Sequence, residues 1–210
     1  MIKYALYTVL ALISAVIIIG GVHICRVYLK NKKEMSFYAG QNIEVNKNFG
    51  KVLVVYYSLS GNTRAIARKI ASMTNADIYE IKTKGKMSSG LKIYKEIRKQ
   101  LKTGKYPEIE NGMPDFASYD YIFVGAPVWW YTAATPLLAF LEKSDFLGKK
   151  VIPFSTQGSN PGTFARDFEK KAVNAVILRG RNFNNLSKKY DKAVDNKIAV
   201  WLNGLDADKQ

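Results

Sequence analysis

The sequence predicts an α/β protein whose parallel sheet carries helices on both faces, preceded by one membrane-spanning helix. Three observations predict it. From Gly50 onward, short β-branched runs alternate with stretches of helical period, the pattern of a parallel sheet with crossover helices. Residues 4–25 carry no formal charge over twenty-two positions. Polar or aromatic loops follow the first, third and fourth expected strands, and in a parallel sheet these emerge at one edge.

The uncharged run reads YALYTVLALISAVIIIGGVHIC, and about twenty apolar residues cross a bilayer core as a helix. No small-x-small cleavage site follows it, and VHIC is a poor match to a lipoprotein acylation box. It therefore reads as an uncleaved anchor, ahead of a cleaved signal or a buried core helix. Lys3 alone precedes the run, while Arg26, Lys30, Lys32 and Lys33 follow, so the positive-inside rule places the following domain in the cytoplasm. Residues 26–50 show no clear period and end in an Asn/Lys/Gly cluster, as expected of a basic juxtamembrane linker. The net charge of +15 beside a membrane span points to anionic headgroups as the partner surface. No nucleic-acid motif is visible.

Forty-eight per cent of the residues are hydrophobic, enough for a real core. Cys25 is the only cysteine and His23 the only histidine. An intramolecular disulfide, a His/Cys metal cluster and a Ser-His-Asp or Cys-His hydrolase site within one chain are thereby excluded.

Residues 51–57 form a continuous apolar run, as in a strand buried on both faces. Ile66, Ile70 and Met73 then lie on one helical stripe. Residues 77–82 (DIYEIK) alternate like an exposed edge strand. Residues 88–102 are helical, with Ile93, Tyr94, Ile97 and Leu101 on one face and lysines opposite. A second buried strand spans 119–127, and Thr135-Pro136 opens the next helix with a capping residue and a first-turn proline. Residues 150–155 form a fourth strand, 163–172 a helix and 175–178 a fifth strand. The last helix starts near Ser187, carries Tyr190, Val194, Ile198 and Trp201 at core spacing, and stops at Gly204.

The first loop, SLSGNT (58–63), runs into a helix N-terminus, where free N–H groups and the helix dipole favour an anion. Ser58, Ser60, Asn62 and Thr63 add neutral donors, and Gly61 permits close backbone approach. Neither G-x-x-x-x-G-K-[ST] nor G-x-G-x-x-G is present, so a terminal phosphate monoester fits better than ATP or a dinucleotide. The alternative is a solvated turn. The second loop, APVWWYT (126–132), holds Trp129, Trp130 and Tyr131, which form either a wall for an aromatic ring or a cover for the sheet edge. The third, TQGSNPG (156–162), suits hydrogen bonding to a polar ring edge.

In combination, VVYYSLSGNT resembles the phosphate loop of flavodoxins, and GAPVWWYTAATPLLAFLE with VIPFSTQGS is similar to the flavodoxin-like branch bearing Pro-x-Trp-Trp in its second loop. The resemblance covers about residues 51–203. It implies a three-layer sandwich with strand order 2-1-3-4-5 and FMN as cofactor. It further implies that Ser58, Leu59, Ser60, Gly61, Asn62 and Thr63 hold the phosphate. Pro127, Val128, Trp129, Trp130 and Tyr131 would flank the isoalloxazine, with Thr156, Gln157 and Gly158 at its polar edge. Classical flavodoxins are acidic and carry no anchor, so the basic, anchored chain implies a membrane-resident redox partner or a quinone. The expected organisation is a span at 4–25, a linker at 26–50 and an FMN-binding domain at 51–205. The expected role is electron transfer as carrier or reductase; the alternative is a non-catalytic flavodoxin-fold module tethered to the membrane. Lys84 to Lys105 holds eight basic residues against Glu96 alone, a solvated face or one turned to anionic lipid.

Overall fold

The computed structural model describes residues 2–88, 90–185 and 187–205; Ser89, in the stretch expected to open the third helix, lies outside them. The elements are α1 (Ile2–Tyr38), β1 (Val52–Tyr56), α2 (Asn62–Thr74), β2 (Asp77–Glu80), α3 (Leu91–Thr103), β3 (Tyr121–Trp129), β4 (Thr132–Ala133), α4 (Thr135–Leu141), β5 (Lys150–Gln157), α5 (Phe164–Glu169), β6 (Val176–Ile177), β7 (Arg181–Asn184) and α6 (Asp191–Asn203). The sheet runs β2-β1-β3-β5-β6, with β4 on β3 and β7 on β5, and all pairs except β3–β4 are parallel. This is the expected 2-1-3-4-5 order of a three-layer α/β sandwich.

Strand periodicity divides the core in two. On β1, Val52, Val54 and Tyr56 face α2, α6 and the end of α1, whereas Leu53 and Val55, with Tyr57 just past the strand's end, face α4 and α5. As expected of an edge strand, β2 is exposed to half-buried along its whole length. Thr135 does not cap α4: Ala134 occupies that position, and the Thr135 hydroxyl donates instead to Gln100 Oε1 at 2.6 Å.

The fifth strand is broken by a proline in its neighbour. Val151 is level with Ile177 and Phe154 with Arg181, so one extra residue is inserted between β6 and β7, a β-bulge. The carbonyls of Val151 and Gln157 accept from Leu178 N and Asn185 N, both at 2.9 Å. Alternate residues of β5 therefore face this edge, and Pro153, one of them, brings no N–H to it.

Residues 26–50 differ most from expectation. The helix continues through 38, and the segment beyond it is strapped along α6. Ile43 N and Asn46 N donate to the side-chain carbonyls of Asn196 and Asn203 at 3.4 and 3.0 Å. Asn196 Nδ2 in turn donates to the carbonyls of Tyr38 and Gln41 at 2.8 and 2.7 Å. Met35, Tyr38 and Phe49 join the core. Three apolar anchors spaced this unevenly leave no period to read in the sequence. Toward its start α1 is long and apolar enough to cross a membrane, and Leu12, Ile17 and Ile19 stand 62–68% exposed.

Replacing Asn196, 3% exposed, by alanine orphans two carbonyls. The expected cost is about 2–3 kcal/mol, read from urea melts of the detergent-solubilised chain. Faster amide exchange confined to residues 39–46 would mark the released strap.

Candidate functional site

The three loops emerge together because the strands bearing them are parallel neighbours. Tyr56 is level with Gly125, Gly125 with Phe154, and Pro127 with Thr156. The hydroxyls of Thr63 and Thr156 meet at 2.7 Å, buried, which ties the first loop to the third.

In the first loop Gly61 N donates to Ser58 Oγ at 3.1 Å and Asn62 Nδ2 to Ser60 Oγ at 3.2 Å. Gly61, at φ 92°, is the N-cap of α2 and no side chain caps it. The first-turn amides thus keep their partial positive charge for an anion. The Thr63 hydroxyl makes the Thr156 contact. Leu59 is half exposed. Arg64 turns away, its Nη2 held by Glu80 Oε1 at 2.5 Å.

The second loop is shorter than the sequence suggests. Pro127, Val128 and Trp129 belong to β3, and a two-residue hairpin at Trp130 and Tyr131 returns the chain to β4. Both turn residues have positive φ, 48° and 63°, the geometry of a type I′ turn. Asn-Gly normally fills such a turn, and left-handed backbone at a bulky residue costs about 1–2 kcal/mol each. The turn is pinned in place: the Tyr131 carbonyl accepts from Thr163 N at 2.6 Å and Thr163 Oγ1 at 3.0 Å. Asp167 accepts from Thr132 Oγ1 at 2.7 Å and from Thr163 Oγ1. Burial raises the Asp167 carboxyl pKa, but these hydroxyls and Arg166 outweigh it, so the net direction is downward.

The third loop also begins inside the sheet. Thr156 and Gln157 are buried in β5. Gln157 Oε1 accepts from Ser155 Oγ at 3.0 Å and its Nε2 donates to Asn184 Oδ1 at 3.2 Å. A Cβ on Gly158 would meet only open space.

Between the second and third loops lies a cavity of about 410 Å³ lined by Val128, Trp129, Trp130 and Tyr131 on one side and Gln157, Gly158, Ser159 and Asn160 on the other. Its size suits a small organic ligand. Trp129 meets Tyr57 edge-on, ring centres 5.6 Å apart, and Tyr94 meets Trp130 at 6.5 Å. Tyr94 and Ile97 of α3 complete the lining; the sequence placed both on the helix's apolar stripe without connecting that stripe to the loops. No lining residue is charged. The arrangement can therefore receive a flat, uncharged ring with a polar edge, next to an anion held at α2. Tyr57, beneath Trp129, has its phenol pushed up to about 12 by burial and secondarily by the charge of Glu96, so at neutral pH it is a hydrogen-bond donor and not a base.

The flavodoxin family profile matches residues 51–203. Among solved structures, the chain is similar to a flavoprotein from Lactobacillus acidophilus determined in complex with FMN. Identity is 26% and the TM-score 0.58, over 63% of this chain and 92% of that one. It is also similar to two Bacteroides proteins classed as flavoproteins. The one from Bacteroides eggerthii is 26% identical at TM-score 0.62, over 73% and 96% of the two chains. The one from Bacteroides uniformis is 28% identical at 0.59, over 73% and 98%. A search of curated proteins returned no significant match. The class is thus a flavodoxin-like α/β sandwich with an uncapped helix N-terminus and an aromatic cavity at its carboxyl edge. The chain belongs to the flavodoxin family.

Gly162 (φ 57°) lies where a Cβ would sit 2.1 Å from the Tyr131 carbonyl oxygen. Gly162→Ala is expected to cost about 1–3 kcal/mol and to change the tryptophan near-UV circular dichroism as the turn is displaced.

The raised Tyr57 pKa means the folded state keeps a proton that the unfolded chain releases near pH 10.0. The stability it contributes is complete below pH 10.0 and is lost as pH rises through about 12. An absorbance titration at 295 nm should show a step near pH 12 that Tyr57→Phe removes.

Proposed function

We propose that the protein is a membrane-anchored FMN-binding flavodoxin that passes electrons to or from a quinone or a membrane-resident redox protein. The observation that carries this reading is the meeting of an uncapped helix N-terminus, an aromatic cavity and a polar loop at one sheet edge. When bound, FMN supplies one- or two-electron transfer. The chain's residues bind and orient it. The first-turn amides of α2, with Ser58, Ser60 and Asn62, hold the phosphate. Trp129, Trp130 and Tyr131 cover the ring face, and Gln157, Gly158 and Asn160 meet its polar edge. Thr63 and Thr156 keep the phosphate loop in register with the ring loop. With no charged residue in the cavity wall, the wall offers van der Waals contact and hydrogen bonds, and no proton-transfer group is required of it. The apolar start of α1 anchors the chain, with the domain on the cytoplasmic side as the flanking basic residues direct.

Purified in detergent, the full chain should carry FMN in equimolar amount, visible as a flavin absorption spectrum. A colourless protein that rejects added FMN refutes the flavin reading and favours a non-catalytic tethered module. Asn62→Ala and Thr63→Ala should each weaken FMN affinity about tenfold; wild-type affinity in both would refute the phosphate assignment. Retention in membranes after alkaline carbonate washing tests the anchor separately.

A further inference from the structure

A second cavity adjoins the third loop, whose Gln157, Ser159 and Pro161 line part of it. It encloses about 730 Å³ between the end of α1, β7 and α6. Lys30, Lys33, Arg179, Arg181 and Lys197 converge on it, with Glu34 as its lining carboxylate.

Glu34 is already engaged. It accepts from Lys197 Nζ at 2.8 Å, and Lys197, 3% exposed, also donates to the Asn182 carbonyl at 2.8 Å. That pair is internally neutral, so the two α1 lysines and Arg181 of β7 leave a positive surplus. Its effect is felt within the wall: burial lowers the Lys197 pKa, Glu34 opposes this, and the charges of Arg181 and Lys30 lower it further. A cavity so lined selects an anion with several acceptor oxygens.

Depth decides the source of that anion. The uncharged run ends at Cys25. At 1.5 Å per helical residue the backbone of Lys30 stands about 8 Å beyond it, at the outer boundary of a headgroup layer about 5–8 Å thick. That of Lys33 stands about 12 Å beyond it, one turn outside that layer. Helical side chains tilt back toward the helix N-terminus, here toward the headgroups. Three positions apart, they share one helix face.

We propose that this cavity receives the phosphate headgroup of an anionic phospholipid, which seats the domain against the bilayer. The headgroup would lie one loop away from the proposed flavin, because Gln157 and Ser159 line both cavities. Gln157 is joined through Asn184 to Asn31 of α1. Lipid bound here would therefore hold the aromatic cavity at a set height and angle for partners in the membrane. The proposal rests on α1 being inserted in the bilayer, which the carbonate wash checks independently.

The test is thermal unfolding of the full chain in neutral detergent with added phosphatidylglycerol, phosphatidylcholine or inorganic phosphate. Phosphatidylglycerol should raise the melting temperature by about 5 °C and phosphatidylcholine should not. Lys30→Gln/Lys33→Gln should lose about half of that shift or more. Lys92→Gln/Lys99→Gln, which removes equal charge from α3, should keep it. Equal shifts with phosphatidylcholine or with inorganic phosphate overturn the proposal, as does equal loss in the two double variants. A carbonate-resistant chain with no response to phosphatidylglycerol refutes the cavity assignment and leaves the anchor standing.

Discussion

The site depends on the parallel alignment of β1, β3 and β5. Parallel strands leave their loops at the same edge, and the direct register from Tyr56 through Gly125 to Phe154 sets all three loops at one height. Both faces of these strands are covered, so a slip of one residue would exchange the two halves of the core. The position of the loops is therefore held by burial of the sheet and not by the loops themselves. The Thr63–Thr156 contact is the local expression of this constraint.

On that rigid edge, the Trp130–Tyr131 turn can tolerate unfavourable backbone. Two consecutive aromatics at positive φ would unwind in an isolated hairpin. Here the Tyr131 carbonyl is held by two donors of Thr163, and Thr132 is held by Asp167. The strain places two large rings at the cavity rim where a relaxed Asn-Gly turn would present none.

The same dependence extends to the first helix. Its far end is part of the soluble fold, since Met35 and Tyr38 are buried and Asn196 takes up the carbonyls of Tyr38 and Gln41. A helix joined by a loose linker would leave the domain free to tumble about it. A helix docked on α6 and paired through Glu34 and Lys197 ties the direction of its apolar stretch to that of the sheet edge.

Much of this was legible from the residues alone. The apolar runs within 51–57 and 119–127 suit a sheet covered on both faces and the alternation with helices makes that sheet parallel, while the strand order followed from the resemblance to flavodoxins. SLSGNT before an amphipathic stripe is readable as a loop running into a helix N-terminus because its chemistry is local. Other features involve partners distant in sequence and follow no local rule. The hairpin at Trp130 lacks every usual turn residue. The break after β6 is caused by Pro153 in the neighbouring strand. Tyr94 reaches the cavity only because α3 packs beside it, and residues 26–50 are held by asparagines some 150 positions later. Sequence by itself determined what each segment prefers, since propensity, period and charge are local. Tertiary structure alone decided which segments meet, since that rests on burial and hydrogen bonds between residues far apart in the chain.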